Sequence, residues 1–71
     1  MSQTITYLSN GVRIRKEPLT PGSKHDLFVD QLVNEEWEVY TAYNTSGNPD
    51  ARDKATNVAN SLLKKRAKEN L

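Results

Sequence analysis

The chain has no cysteine and a single histidine in 71 residues. Disulfides and thiolate metal sites are thereby excluded, and one imidazole cannot build a zinc cluster. Long hydrophobic runs are also missing: none approaches the roughly 18 residues that span a bilayer. Met1-Ser2-Gln3-Thr4 lacks the basic and apolar regions of a signal peptide. A cytoplasmic protein without membrane contact is therefore expected. Nor does one sign of charge dominate. Ten Lys and Arg face nine Asp and Glu, for a net charge of +1, whereas a dedicated nucleic-acid binder usually carries a more basic balance. A single domain of this size, 1–71, must draw its stability from packing, alone or with a second copy.

What is present is β patterning followed by a helix. Thr4 to Leu8 and Val12 to Lys16 flank Asn10-Gly11, the preferred pair for a tight type I′ turn. A two-residue turn sets Ser9 opposite Val12, Tyr7 opposite Ile14 and Thr6 opposite Arg15. It sorts Ile5, Tyr7, Val12 and Ile14 to an apolar side, and Thr4, Thr6, Arg13 and Arg15 to a polar one. Only Leu8 falls on the wrong side. Pro21-Gly22 suits the centre of a type II turn in a crossover loop. Length and two valines favour a strand over a Ser23-capped helix for His25 to Val33. That strand carries Leu27, Val29 and Val33 on one face and Phe28 and Leu32 on the other. After a turn at Asn34-Glu35-Glu36, Trp37 to Tyr43 is a strand with Trp37, Val39 and Tyr43 on one face, Glu38 and Tyr40 on the other. Gly47 is the flexible point of a further turn, Asn44 to Asn48.

Asn48 to Leu71 reads as one long helix. Asn48 is a good N-cap and Pro49 suits the first helical position. Asp50 and Asp53 sit at the positive end of the peptide dipoles, and Lys64, Lys65, Arg66 and Lys68 at the negative end. Ala51, Ala55, Val58, Ala59, Leu62 and Leu63 form an apolar stripe. Some 20 helical residues span about 30 Å, against roughly 17 to 23 Å for the strands, so the basic end is expected to overhang. The expected fold is α+β: a four-stranded antiparallel sheet of two hairpins, with one long C-terminal helix packed on one face. Its expected core sets Ile5, Tyr7, Val12, Ile14, Trp37 and Val39 against Val58, Ala59 and Leu62.

Trp37-Glu38-Val39-Tyr40 followed by Ala51 to Leu63 is similar in order to modules whose short sheet precedes a C-terminal helix. Double-stranded-RNA-binding domains and the arm-binding domains of phage integrases are examples. The first helix and lysine-rich helix start of the RNA-binding family are absent here. Asp50-Ala51-Arg52-Asp53 instead puts two carboxylates where a phosphate backbone would lie, and no family is assigned.

The catalytic inventory is thin. Ser23, His25 and Asp26 are nearly adjacent, whereas triads are assembled from separate elements. Glu35 and Glu36 point apart, as consecutive residues do. Gly11, Gly22 and Gly47 stand in separate turns and form no phosphate loop. No catalytic residue, cofactor or metal ligand is assigned, and no enzymatic activity is expected.

Two surface constellations remain. One is the basic helix end, Lys64, Lys65, Arg66 and Lys68, whose simplest role is to satisfy the dipole and keep the terminus soluble. The other is the outer sheet face, where Arg13 and Arg15 are placed with Leu8, Tyr40 and one apolar set from the third strand. Arginines beside exposed aromatics serve single-strand nucleic-acid platforms and protein interfaces alike. The third strand is apolar on both faces and one helix covers only one of them. A homodimer or a partner-binding surface involving Phe28, Leu32 and Tyr40 is therefore expected. The leading reading is a protein-interaction module, a regulator or inhibitor of the kind that suits a phage or mobile element. The alternative is a nucleic-acid-binding module using Arg13, Arg15 and the basic helix end.

Overall fold

In the computed structural model, which describes residues 3–69, the chain runs β1 (Thr4–Tyr7), β2 (Val12–Lys16), β3 (Leu27–Val33), β4 (Glu36–Tyr43) and α1 (Ala51–Glu69). The strands form one antiparallel sheet in the order β1-β2-β3-β4. The helix lies over β2, β3 and β4 and does not reach β1. This is the α+β architecture read from the sequence. The stretch 27–33 is a strand, and Thr20 to Ser23 close the expected turn, with Ser23 N–H donating to the Thr20 carbonyl at 2.9 Å and Gly22 at φ 91°.

The first hairpin is displaced from the expected register by one residue. Tyr7 pairs with Arg13, Thr6 with Ile14 and Ile5 with Arg15, and Leu8 N–H donates to the Val12 carbonyl at 2.8 Å. The loop is thus Ser9-Asn10-Gly11, with Asn10 and Gly11 both at positive φ. A one-residue slip sends every β1 side chain to the opposite face. Leu8 joins Val12 and Ile14 on the core side, while Ile5 and Tyr7 pass to the outer face with their partners Arg15 and Arg13. The physical reason lies in what each register buries. Leu8 gains a core contact, and Thr4 and Thr6 need none, because no helix lies over β1.

A second correction concerns β4. Its pairing with β3 slips between Asp30↔Val39 and Val29↔Thr41, leaving Tyr40 as an extra residue without a partner. Such a bulge breaks the alternation of faces. Trp37 and Val39, opposite Leu32 and Asp30, lie on the outer side, while Thr41 and Tyr43, opposite Val29 and Leu27, lie under the helix. Trp37 and Val39 are therefore not core residues, and Val39 is 54% exposed.

The core consists of Val12, Leu27, Val29, Ala55, Ala59 and Leu62, with Leu8, Ile14, Tyr43 and Leu63 packed against it. Alanines at 51, 55 and 59 repeat at one helical turn and let the helix backbone approach the sheet closely. The helix starts later than expected. The first helical bond runs from Lys54 N–H to the Asp50 carbonyl, so Asp50 rather than Asn48 is the capping residue, and Asn48-Pro49 belongs to the preceding turn. The expected extension through Asn70 and Leu71 lies outside the described residues.

Nor does the basic end project as a unit. Arg66 donates through Nε to the Asn10 carbonyl and through Nη2 to the Leu32 carbonyl at 2.8 Å. It falls on the line of Leu62, one turn on, and its reach carries the guanidinium to the β1–β2 loop. Gly11 makes room for it. A Cβ there would lie 3.0 Å from Arg66 Nη2 and 3.1 Å from Leu32 Cβ, at a φ of 71° that side chains rarely adopt.

Candidate functional site on the open sheet face

The outer face is organised around Asp30. This β3 residue is 1% exposed, and a carboxylate so buried requires charged partners. Strand periodicity supplies them. Arg13 and Arg15 are two apart on β2 and share a face, with Asp30 directly opposite Arg13 and diagonal to Arg15. Arg13 Nε donates to Asp30 Oδ2 at 2.7 Å, and Arg15 Nε donates to the same oxygen at 2.9 Å. Arg15 Nη2 lies 3.5 Å from Oδ1, and Nη1 pairs with Glu17 Oε1 at 2.6 Å. The hydrogen bond to Asp30 raises the Arg15 pKa above its ordinary value, in spite of the opposing effect of burial.

Aromatic rings complete the layer. The Arg13 guanidinium carbon sits 4.3 Å from the Trp37 ring centroid and that of Arg15 4.2 Å from Phe28, both within cation–π range. Tyr7 tilts against Trp37 at 5.9 Å between centroids. The two arginines differ in what they have left to donate. Arg15 is engaged through all three nitrogens. Among the described residues, Arg13 is hydrogen-bonded through Nε alone. No buried side-chain nitrogen or oxygen among the described residues lacks a partner, so the Nη groups of Arg13 keep some contact with solvent, although the side chain is only 15% exposed. On the same face Tyr7, opposite Arg13, is 64% exposed, and Val39, opposite Asp30, is also open.

Of the residues expected on this surface, Arg13, Arg15, Phe28 and Leu32 come together, Leu8 lies on the opposite face, and Tyr40 occupies the bulge. Lys64, Lys65 and Lys68 are exposed on α1, across the sheet from Arg13 and Arg15. Arg66 is a structural clamp. Asp30, Trp37 and Tyr7 were not expected in the outer layer. The available signal was a lone acid in the apolar run Leu27-Phe28-Val29-Asp30, matched by two arginines at strand spacing.

Ser23, His25 and Asp26 do not converge on a reaction centre. The Ser23 hydroxyl is paired with Thr20 at 2.8 Å, and His25 is exposed. Asp26 is buried and accepts from Thr45 N–H at 2.9 Å and Thr45 Oγ1 at 2.6 Å, with Lys16 Nζ at 3.0 Å. Burial pushes the Asp26 carboxyl up, but the bonds from Thr45 and Lys16 outweigh it and hold the pKa at about 2. Beside it an open depression of about 280 Å³ is lined by His25, Tyr43, Asn48 and Lys54. Among the described residues no group of three His, Cys, Asp or Glu is placed to hold a metal, and no helix is long and apolar enough to cross a membrane.

No protein-family model matches the chain, and comparison with curated proteins and with solved structures gives no match.

Proposed function

We propose that the protein is a small non-enzymatic interaction module, acting as a regulator or inhibitor by docking the outer face of its sheet on another protein. The observation that carries this reading is the composition and exposure of that face. An Arg13–Asp30–Arg15 cluster stacked on Trp37 and Phe28 is left uncovered by the helix and bordered by exposed Tyr7 and Val39. Tyr, Trp and Arg are the residue types that concentrate binding energy at protein interfaces. Ordering them in advance reduces the entropy lost on association. The hydroxyl and carboxylate that a hydrolase would need are engaged in loop structure, which supports the non-enzymatic reading.

The alternative, a nucleic-acid-binding module, has weaker support. A stacking platform needs open ring faces, and here a face of Trp37 and one of Phe28 are occupied by guanidinium groups. A phosphate track also needs cations in line, whereas Lys64, Lys65 and Lys68 lie on the far side of the sheet from Arg13. The deciding experiment is a pulldown from host lysate with and without nuclease, using the wild-type chain and Val39→Asp as baits. Nuclease-resistant capture that Val39→Asp abolishes is the expected result. Capture lost on nuclease treatment, or unchanged by Val39→Asp, would overturn the proposal.

A further inference from the structure

We infer that the free fork of Arg13 is a receptor for a carboxylate, so that the partner presents an acidic side chain flanked by apolar residues. The inference rests on the docking role proposed for this face and names the chemistry of its occupant. Asp30 holds Arg13 by Nε and Trp37 lies beneath its guanidinium carbon, which fixes the plane of the group and leaves the two Nη nitrogens without a hydrogen-bond partner among the described residues and in part accessible, on a side chain 15% exposed. A planar pair of donors matches a carboxylate in bidentate geometry. Exposed Tyr7, directly across the strand pair, supplies the apolar border.

Charge complementarity argues against a second copy. Of the acids on this side, Asp30 is held by both arginines and Glu17 by Arg15 and Gln3. Glu36 and Glu38 pair with Val33 and Gln31 and so lie on the helix side of the sheet. An identical face would therefore bring arginine to arginine, with no free acid on that face among the described residues to meet it. It argues against nucleic acid as well, because Arg15 is neutralised and one fork does not make a backbone track.

The test is selection of a displayed random 12-residue peptide library against the intact chain, followed by titration of enriched peptides. The expected peptides carry Asp or Glu beside an aromatic or branched residue, and lose about tenfold or more in affinity on Arg13→Gln. Tyr7→Glu, an exposed edge change that leaves the Asp30 cluster in place and offers the fork an internal carboxylate, should weaken them similarly. Changing Lys64, Lys65 and Lys68 together to glutamine should not. Peptides without an acid, or insensitive to Arg13→Gln and Tyr7→Glu yet lost on Val39→Asp, would overturn the carboxylate assignment and leave the docking face standing. No enrichment, or binding untouched by all three changes, would overturn both. Tighter binding of a labelled oligothymidylate, falling log-linearly with salt and lost on Arg13→Gln, would assign the fork to phosphate instead.

Discussion

At the scale of single residues, Asp30 governs the outer face. Its carboxylate separates two guanidinium groups that would otherwise repel one another, each on a side chain only 15% exposed. Asp30→Asn keeps the shape but removes the charge, leaving two arginines side by side. It should lower stability by about 2 to 4 kcal/mol, read from the urea midpoint, whereas an unchanged midpoint would mean the arginines reorient freely into solvent. Glu35 makes the opposite case. It sits at φ 68° beside Asn34 at 52° in the two-residue β3–β4 turn, the left-handed pair that a type I′ turn demands. A glutamate there is strained. Glu35→Gly should raise stability by roughly 0.5 to 1 kcal/mol, the relief of strain exceeding the extra freedom of the unfolded chain.

At the scale of elements, the helix is tied at its far end by one residue of its basic cluster. Arg66 bonds two backbone carbonyls, Asn10 and Leu32, from α1 to the β1–β2 loop and the end of β3. Arg66→Ala should therefore cost about 1 to 3 kcal/mol, since the freed carbonyls lose a charged donor. Glutamine at Lys64, Lys65 and Lys68 together should move the thermal midpoint little, as exposed charges contribute about 0 to 1 kcal/mol in pairs. Equal losses from the two changes would refute the distinction. Element order and the helix stripe are legible because periodicity records burial directly, and the strand at 27–33 because its length and valines favour an extended chain. Register is not. Asn10-Gly11 fits a two-residue turn locally, and only the misplaced Leu8 carried the information that the loop is one residue longer. The bulge at Tyr40 had no glycine to announce it, so Trp37 and Val39 were read onto the face of Tyr43. The outer site was half visible for the same reason: Arg13, Arg15, Phe28 and Leu32 follow from alternation. Tyr7 and Trp37 depend on the two register shifts, and Asp30 depends on its placement across from the arginines.

At the scale of the whole molecule, one face of the sheet is closed by the helix and its ends are held by polar ties, with Arg66 at one end and Asp26 at the other. Asp26 gathers three segments: its carbonyl accepts from Glu17 N–H, its N–H donates to the Tyr43 carbonyl, and its carboxylate holds Thr45 and Lys16. Because its pKa falls from 3.8 to about 2 on folding, both states are ionised at neutral pH and the native contacts are fully present there. As pH drops below about 4, the unfolded chain takes up its proton first, and stability declines until the native carboxyl is also protonated near pH 2. With allowance for solvent screening at Lys16, the loss attributable to Asp26 is roughly 1 to 2 kcal/mol. Urea titrations at pH 6, 4, 3 and 2 should show this decline in the wild type and a flatter one in Asp26→Asn, which starts less stable at pH 6. Parallel profiles would place the acid sensitivity in other carboxylates, and would reduce Asp26 from a charged tie to a neutral hydrogen-bond acceptor.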